Sequence, residues 1–227
     1  MGVHSTQYYP DILTYIFTRL KRGVSRYLST PCTAFAGTHR IASGALIDVA
    51  LAIKAAEAGM QSPVLTFDNA SGAVIDLDLR GTTAEIVTRL TEHGELEALA
   101  ARTRGGLADA PGRSRGRPKL GVVAREVTLL PRHWEWLARQ PGGASQALRR
   151  IVDEARRADG GQTDRKAAHE RTYSFLSALA GDLPGYEETI RALFAGEDEP
   201  FAERMATWPP DIRDHALALA RPNSREE

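Results

Sequence analysis

The side chains of this chain that could do chemistry are few, and the concentrated ones are basic. Residues 113–157 carry eleven Arg and Lys against four Asp and Glu, while residues 32–112 carry six against ten and residues 158–227 eight against fourteen. The zero formal charge of the whole therefore conceals a basic centre between acidic flanks. A localised positive block is the footprint of a polyanion partner, and it predicts DNA as that partner, bound through Arg113, Arg115, Arg117, Lys119 and Arg125. The alternative is a solvated linker followed by a charged helix face.

Other reactive groups are isolated. Cys32 is the sole cysteine, which excludes an intrachain disulfide and a cysteine metal cluster and fits a reducing, cytoplasmic setting. It precedes an apolar strand with no base beside it in sequence, so packing is its expected role. Asp68, Asp76 and Asp78 match no cation loop, and His169, Glu170 and His215 lack the paired i, i+4 histidines of a zinc-binding helix. Gly37 and Gly72 are lone turn glycines rather than a phosphate cradle. The sequence thus predicts no enzyme, no cofactor and no metal. No apolar run approaches the roughly 20 residues of a membrane helix, so no membrane association is expected.

The elements that must position the basic block follow from hydrophobic periodicity. Residues 1–31 form a basic arm expected to be poorly ordered, because its charges follow the apolar residues Tyr15, Ile16, Phe17 and Leu20 rather than precede them as in a secretory signal. Residues 32–100 predict a ββαββα domain with a two-layer core. It has a short hairpin over 33–42, a helix over 45–58 capped by Ser43, a second hairpin with strands over 64–67 and 74–79, and a helix opened by the capping box Thr82 to Glu85 that frays near Leu96. Residues 101–120 predict a basic Gly/Pro/Arg linker, and 121–157 a strand and two helices separated by Pro141, Gly142 and Gly143. A linker over 158–164, short amphipathic helices over 165–221 and a disordered tail over 222–227 complete an α+β chain. The aromatic positions Tyr173, Phe175, Tyr186, Phe194, Phe201 and Trp208 predict a small core or a contact with a protein partner at these C-terminal helices.

Two local resemblances bear on the basic centre. Arg115, Gly116, Arg117, Pro118 and Lys119 resemble the core of an AT-hook, which implies an extended backbone along the narrow minor groove of A·T-rich DNA. Residues 121–157 resemble the ribbon-helix-helix DNA-binding fold, with Val127 to Leu130 as strand, Pro131 at the strand exit, Trp134 and Leu137 on the first helix, and Ser145 as cap of the second. That resemblance implies a homodimer built on Val127, Leu129, Trp134, Leu137, Leu148, Ile151 and Val152. It also implies a phosphate held by Ser145 and Gln146 at the second helix. Neither frame of the strand supplies a full base-reading set. One offers Arg125 with Val127 and Leu129, the other Thr128 with Glu126 and Leu130. The resemblance implies transcription regulation; the rival is a self-association or antitoxin-like interaction module without sequence-specific DNA binding. From residue 32 to about 221 the chain resembles an uncharacterised, mainly bacterial domain-of-unknown-function family, through phrases at residues 32–37, 76–81, 115–136, 140–150, 165–186 and 208–215.

Overall fold

Strand β1 (Pro31–Ala36) leaves no side open to water: Cys32, Thr33, Ala34 and Phe35 are all fully buried. Successive side chains of a strand point to opposite faces, so both faces of its sheet must be covered. The computed structural model describes residues 24–104 and 126–222 and shows how. It is an α+β protein with one antiparallel sheet of four strands, in the order β2-β1-β3-β4, where β2 is His39–Ala45, β3 is Val64–Asp68 and β4 is Val74–Ile75. Nine α-helices occur among the described residues: α1 (Val24–Leu28), α2 (Leu46–Ala56), α3 (Thr83–Arg104), α4 (Pro131–Ala138), α5 (Gly143–Asp159), α6 (Gln162–Leu179), α7 (Tyr186–Ala195), α8 (Asp198–Arg204) and α9 (Pro210–Ala220). None is long and apolar enough to cross a membrane. Contacts divide the chain into two units, one formed by the residues up to Ala100 together with those from Asp164, the other lying between Ala101 and Thr163.

In the first unit the expected two-layer core is a three-layer one. Cys32 and Ala34 face Leu46, Val49 and Ile53 of α2, while Leu28, Ala50, Ile86 and Leu90 close the same side around α1 and α3. Phe35 and Phe67 point the other way, into Phe175 and Leu176 of α6, Leu193, Phe201, Met205, Trp208 and Ile212. The Phe67 and Phe175 rings meet edge to face, 4.9 Å between centroids. The C-terminal helices are therefore the second cover of the sheet. Trp208 sits in that core with its indole N–H donating to the Pro184 carbonyl at 2.8 Å, the partner a buried tryptophan needs.

Several local expectations change. The strand expected to reach Leu79 stops at Ile75. Asp78 accepts the Arg80 amide at 3.1 Å, and Arg89 donates to the carbonyls of Asp78 and Arg80, so side chains satisfy backbone groups a strand would pair. Leu77 and Leu79 still pack inward. Ser43 does not cap α2: Ala45 stands at that position with no side-chain cap, and Ser43 Oγ lies 2.9 Å from Thr33 Oγ1 within the sheet. The capping box at α3 is present, with Thr82 N donating to Glu85 Oε2 at 2.7 Å and Glu85 N to Thr82 Oγ1 at 3.4 Å, and α3 continues past Leu96 to Arg104. At the expected linker over 158–164, α5 runs to Asp159 and α6 starts at Gln162, with Gly160 and Gly161 in left-handed conformation between them.

Candidate self-association and nucleic-acid interface

The second unit is built from proline and glycine punctuation. Leu130 is extended (φ −66°, ψ 151°), and Pro131 takes the first helical position of α4, where its missing N–H costs nothing. That helix ends at Ala138 with Arg139 as its C-cap, and after Pro141 the pair Gly142 and Gly143 turns the chain through positive φ (77° and 75°) into α5. The positive φ is what favours glycine at Gly142; the Gln146 side-chain end that lies where a Cβ would be is exposed and free to move aside. The α4 and α5 pair is held by Leu137 and Ala147, its two buried apolar side chains, and by a long Arg150 to Gln140 hydrogen bond of 3.4 Å.

Among the described residues of this unit, the other large apolar side chains are open or only half-buried. Val127, Leu130, Trp134, Trp136, Ile151 and Val152 keep between 38% (Ile151) and 55% (Val152) of their surface exposed, and Leu129 and Leu148 are half-buried. Residues 126–130 form no strand and have no ladder partner among the described residues. The strand expected at 127–130 is thus absent for a physical reason: a strand exists only by pairing. Thr128 is exposed on this segment.

Ser145 is not the cap of α5. Gly142 occupies the N-cap position without a side-chain hydrogen bond, and Ser145 is the third residue of the helix, exposed like Gln146. Arg113, Arg115, Gly116, Arg117, Pro118, Lys119 and Arg125 lie outside the described residues. Their weight can still be read from composition: residues 126–157 hold six basic against four acidic side chains, whereas residues 113–125 hold five basic and none acidic. Sequence reasoning missed Leu130 and Trp136 as members of the open face. Trp136 falls two residues from Trp134, off the helical stripe that marked the others, so periodicity had no signal for it.

The first unit's titratable groups serve its own fold. Asp68 accepts from Ala70 N at 2.8 Å and Ser71 Oγ at 2.9 Å in the β3–β4 turn. Asp78 takes a two-pronged contact from Arg80, Nε and Nη2 each at 2.8 Å, which holds its carboxyl well below the usual carboxylate range. Cys32 is a buried free thiol, pushed up to about 11 by burial and then by nearby Asp68. His169 packs its ring on Phe194, and no cluster of three or more metal-ligating side chains occurs among the described residues. Of the aromatic positions, Phe175, Phe201 and Trp208 are core, while Tyr173 and Phe194 are exposed and touch each other at 5.6 Å.

Fold and site together define an α+β protein of two units, the smaller a helix pair whose apolar face is uncovered. Residues 31–220 match the family described as uncharacterized protein conserved in bacteria (DUF2239), and the chain belongs to that family. No curated protein and no solved structure matches the chain.

Proposed function

We propose that this is a dimeric DNA-binding protein, a cytoplasmic transcription regulator and not an enzyme, using residues 121–157 as a ribbon-helix-helix unit. The observation that carries the reading is the open face of α4 and α5 beside the unpaired segment 126–130. A helix pair with only two buried apolar side chains is not stable alone with that much apolar surface in water. Antiparallel pairing of residues 126–130 from two copies satisfies the backbone and lets Val127, Leu129, Trp134, Leu148, Ile151 and Val152 cover one another. The first turns of the two α5 helices, with Ser145 and Gln146, then present amides to phosphates, and the tract at residues 113–119 adds basic contacts. Thr128 is the one uncharged polar side chain on the paired segment, so binding is driven by backbone and shape more than by base readout. The first unit, with its acidic charge, serves as the sensing or recruiting body.

Sedimentation of the full chain at micromolar concentration is expected to give a dimer, and Val127→Asp with Ile151→Asp a monomer whose first unit stays folded. A monomeric parent protein overturns the reading. DNA binding is tested by anisotropy across salt: replacing Arg115, Arg117 and Lys119 with Ala removes up to three phosphate contacts and lowers the slope of log K against log salt by up to about 2.7. An unmoved slope removes the tract from the interface. A second reading, self-association without DNA, is favoured by the near balance of charge over residues 126–157. It takes over if the dimer forms and binds no DNA.

A further inference from the structure

Helix α9 is fastened to the rest of its unit at three points. At its start Asp211 Oδ2 accepts the Arg40 amide of β2 at 2.9 Å and lies 3.8 Å from His39 Nδ1. At its end the Arg171 guanidinium of α6 donates to the carbonyls of Leu219, at 2.7 Å, and Arg221. Between them His215 enters the aromatic core, its ring centroid 5.4 Å from Phe35 and 4.7 Å from Phe175. His215 is only 6% exposed, and its Nε2 is buried without a hydrogen-bond partner.

A neutral imidazole suits that place because it packs as one more ring. An imidazolium does not, since its extra N–H needs an acceptor and its charge needs a counter-ion. The surroundings offer neither. From β1 comes Phe35, with no titratable group on that face; from β2 comes Arg40, a like charge. From α6 come Phe175 and, one turn earlier, Arg171, a second cation already spent on carbonyls. On α9 itself Asp211 is held by the Arg40 amide, and Arg213 and Asp214 pair with each other at 2.9 Å.

We propose that protonation of His215 releases α9 from the sheet, so that the seating of this helix is a proton-gated contact. Burial first, and the Arg40 charge second, push the docked imidazole down to about 4 from its ordinary 6.5. A released helix takes up its proton near 6.5 and a docked one only near 4, so the released form gains as pH falls through that interval. The docking equilibrium weakens by roughly 150-fold at pH 4, tends to about 300-fold at lower pH, and is nearly unaffected above 7.

The test is NMR on the full chain from pH 7.5 to 4, following the His215 ring and the indole N–H of Trp208, which is buried just before α9. Expected is one concerted change of both signals below the ordinary histidine range. In His215→Gln the Trp208 change disappears between pH 6.5 and 4. His215→Phe, which fills the aromatic site without a titratable nitrogen, gives the same answer should the glutamine variant fail to fold. A His215 ring titrating near 6.5 while Trp208 stays still overturns the proposal, as does a Trp208 transition that persists unchanged in the variants.

Discussion

Replacing Gly72 by alanine tests whether the β3–β4 turn is seated on α6, the contact that joins two stretches of chain a hundred residues apart. Gly72 is buried at φ +69°, its amide donating to the Asp68 carbonyl at 2.7 Å, and a Cβ there would collide with the backbone carbonyl of Arg171. Two costs follow. A non-glycine residue in the left-handed region loses about 1–2 kcal/mol, and forcing a backbone apart from a packed neighbour adds about 1–3 kcal/mol more. Gly196→Ala separates them, because Gly196 has nearly the same φ, +71°, with nothing within 4 Å of its added Cβ. Both variants pay the first cost, and only Gly72→Ala pays the second. At about 2–4 °C per kcal/mol for a unit of this size, Gly72→Ala is expected to melt roughly 2–12 °C below Gly196→Ala by circular dichroism. Equal melting temperatures would show that the turn does not rest on α6 and would refute the three-layer arrangement.

Three further outcomes follow from local geometry. Cys32, buried and with its thiol pushed up to about 11, should not react with a disulfide reagent at pH 8 until the protein is unfolded; rapid labelling of the native chain contradicts its placement between sheet and α2. Thr82→Ala removes the side-chain half of the capping box on α3 and should cost about 1 kcal/mol in a urea melt, so an unchanged midpoint counts against that cap. Ser145→Ala should change stability by less than about 0.5 kcal/mol, since Ser145 is exposed inside α5 and Gly142 holds the N-cap position; a loss above 1 kcal/mol would restore the capping role.

By itself the sequence determined what depends on neighbours a few residues away. Helical stripes placed α2, α7 and α9; Thr82 and Glu85 marked the start of α3; Pro131 and the Gly142 and Gly143 pair marked the break between α4 and α5. Charge, being a sum over residues, was legible without any structure, and so was the isolation of Cys32. The tertiary structure alone decided what each apolar face meets. Phe35 and Phe67 fall within the two expected hairpins, but nothing local says that Phe175, more than a hundred residues later, is what covers them. Burial is non-directional and does not name its partner. The same physics shaped the candidate site. The alternation around Leu130 looked like a strand, yet it finds no pair among the described residues, and Ser145 looked like a cap until Gly142, free to adopt positive φ, started α5 three residues earlier. Trp136 and Leu130 join the open face because of how α4 lies on α5, and the angle between two helices is set by packing, which no spacing along the chain encodes.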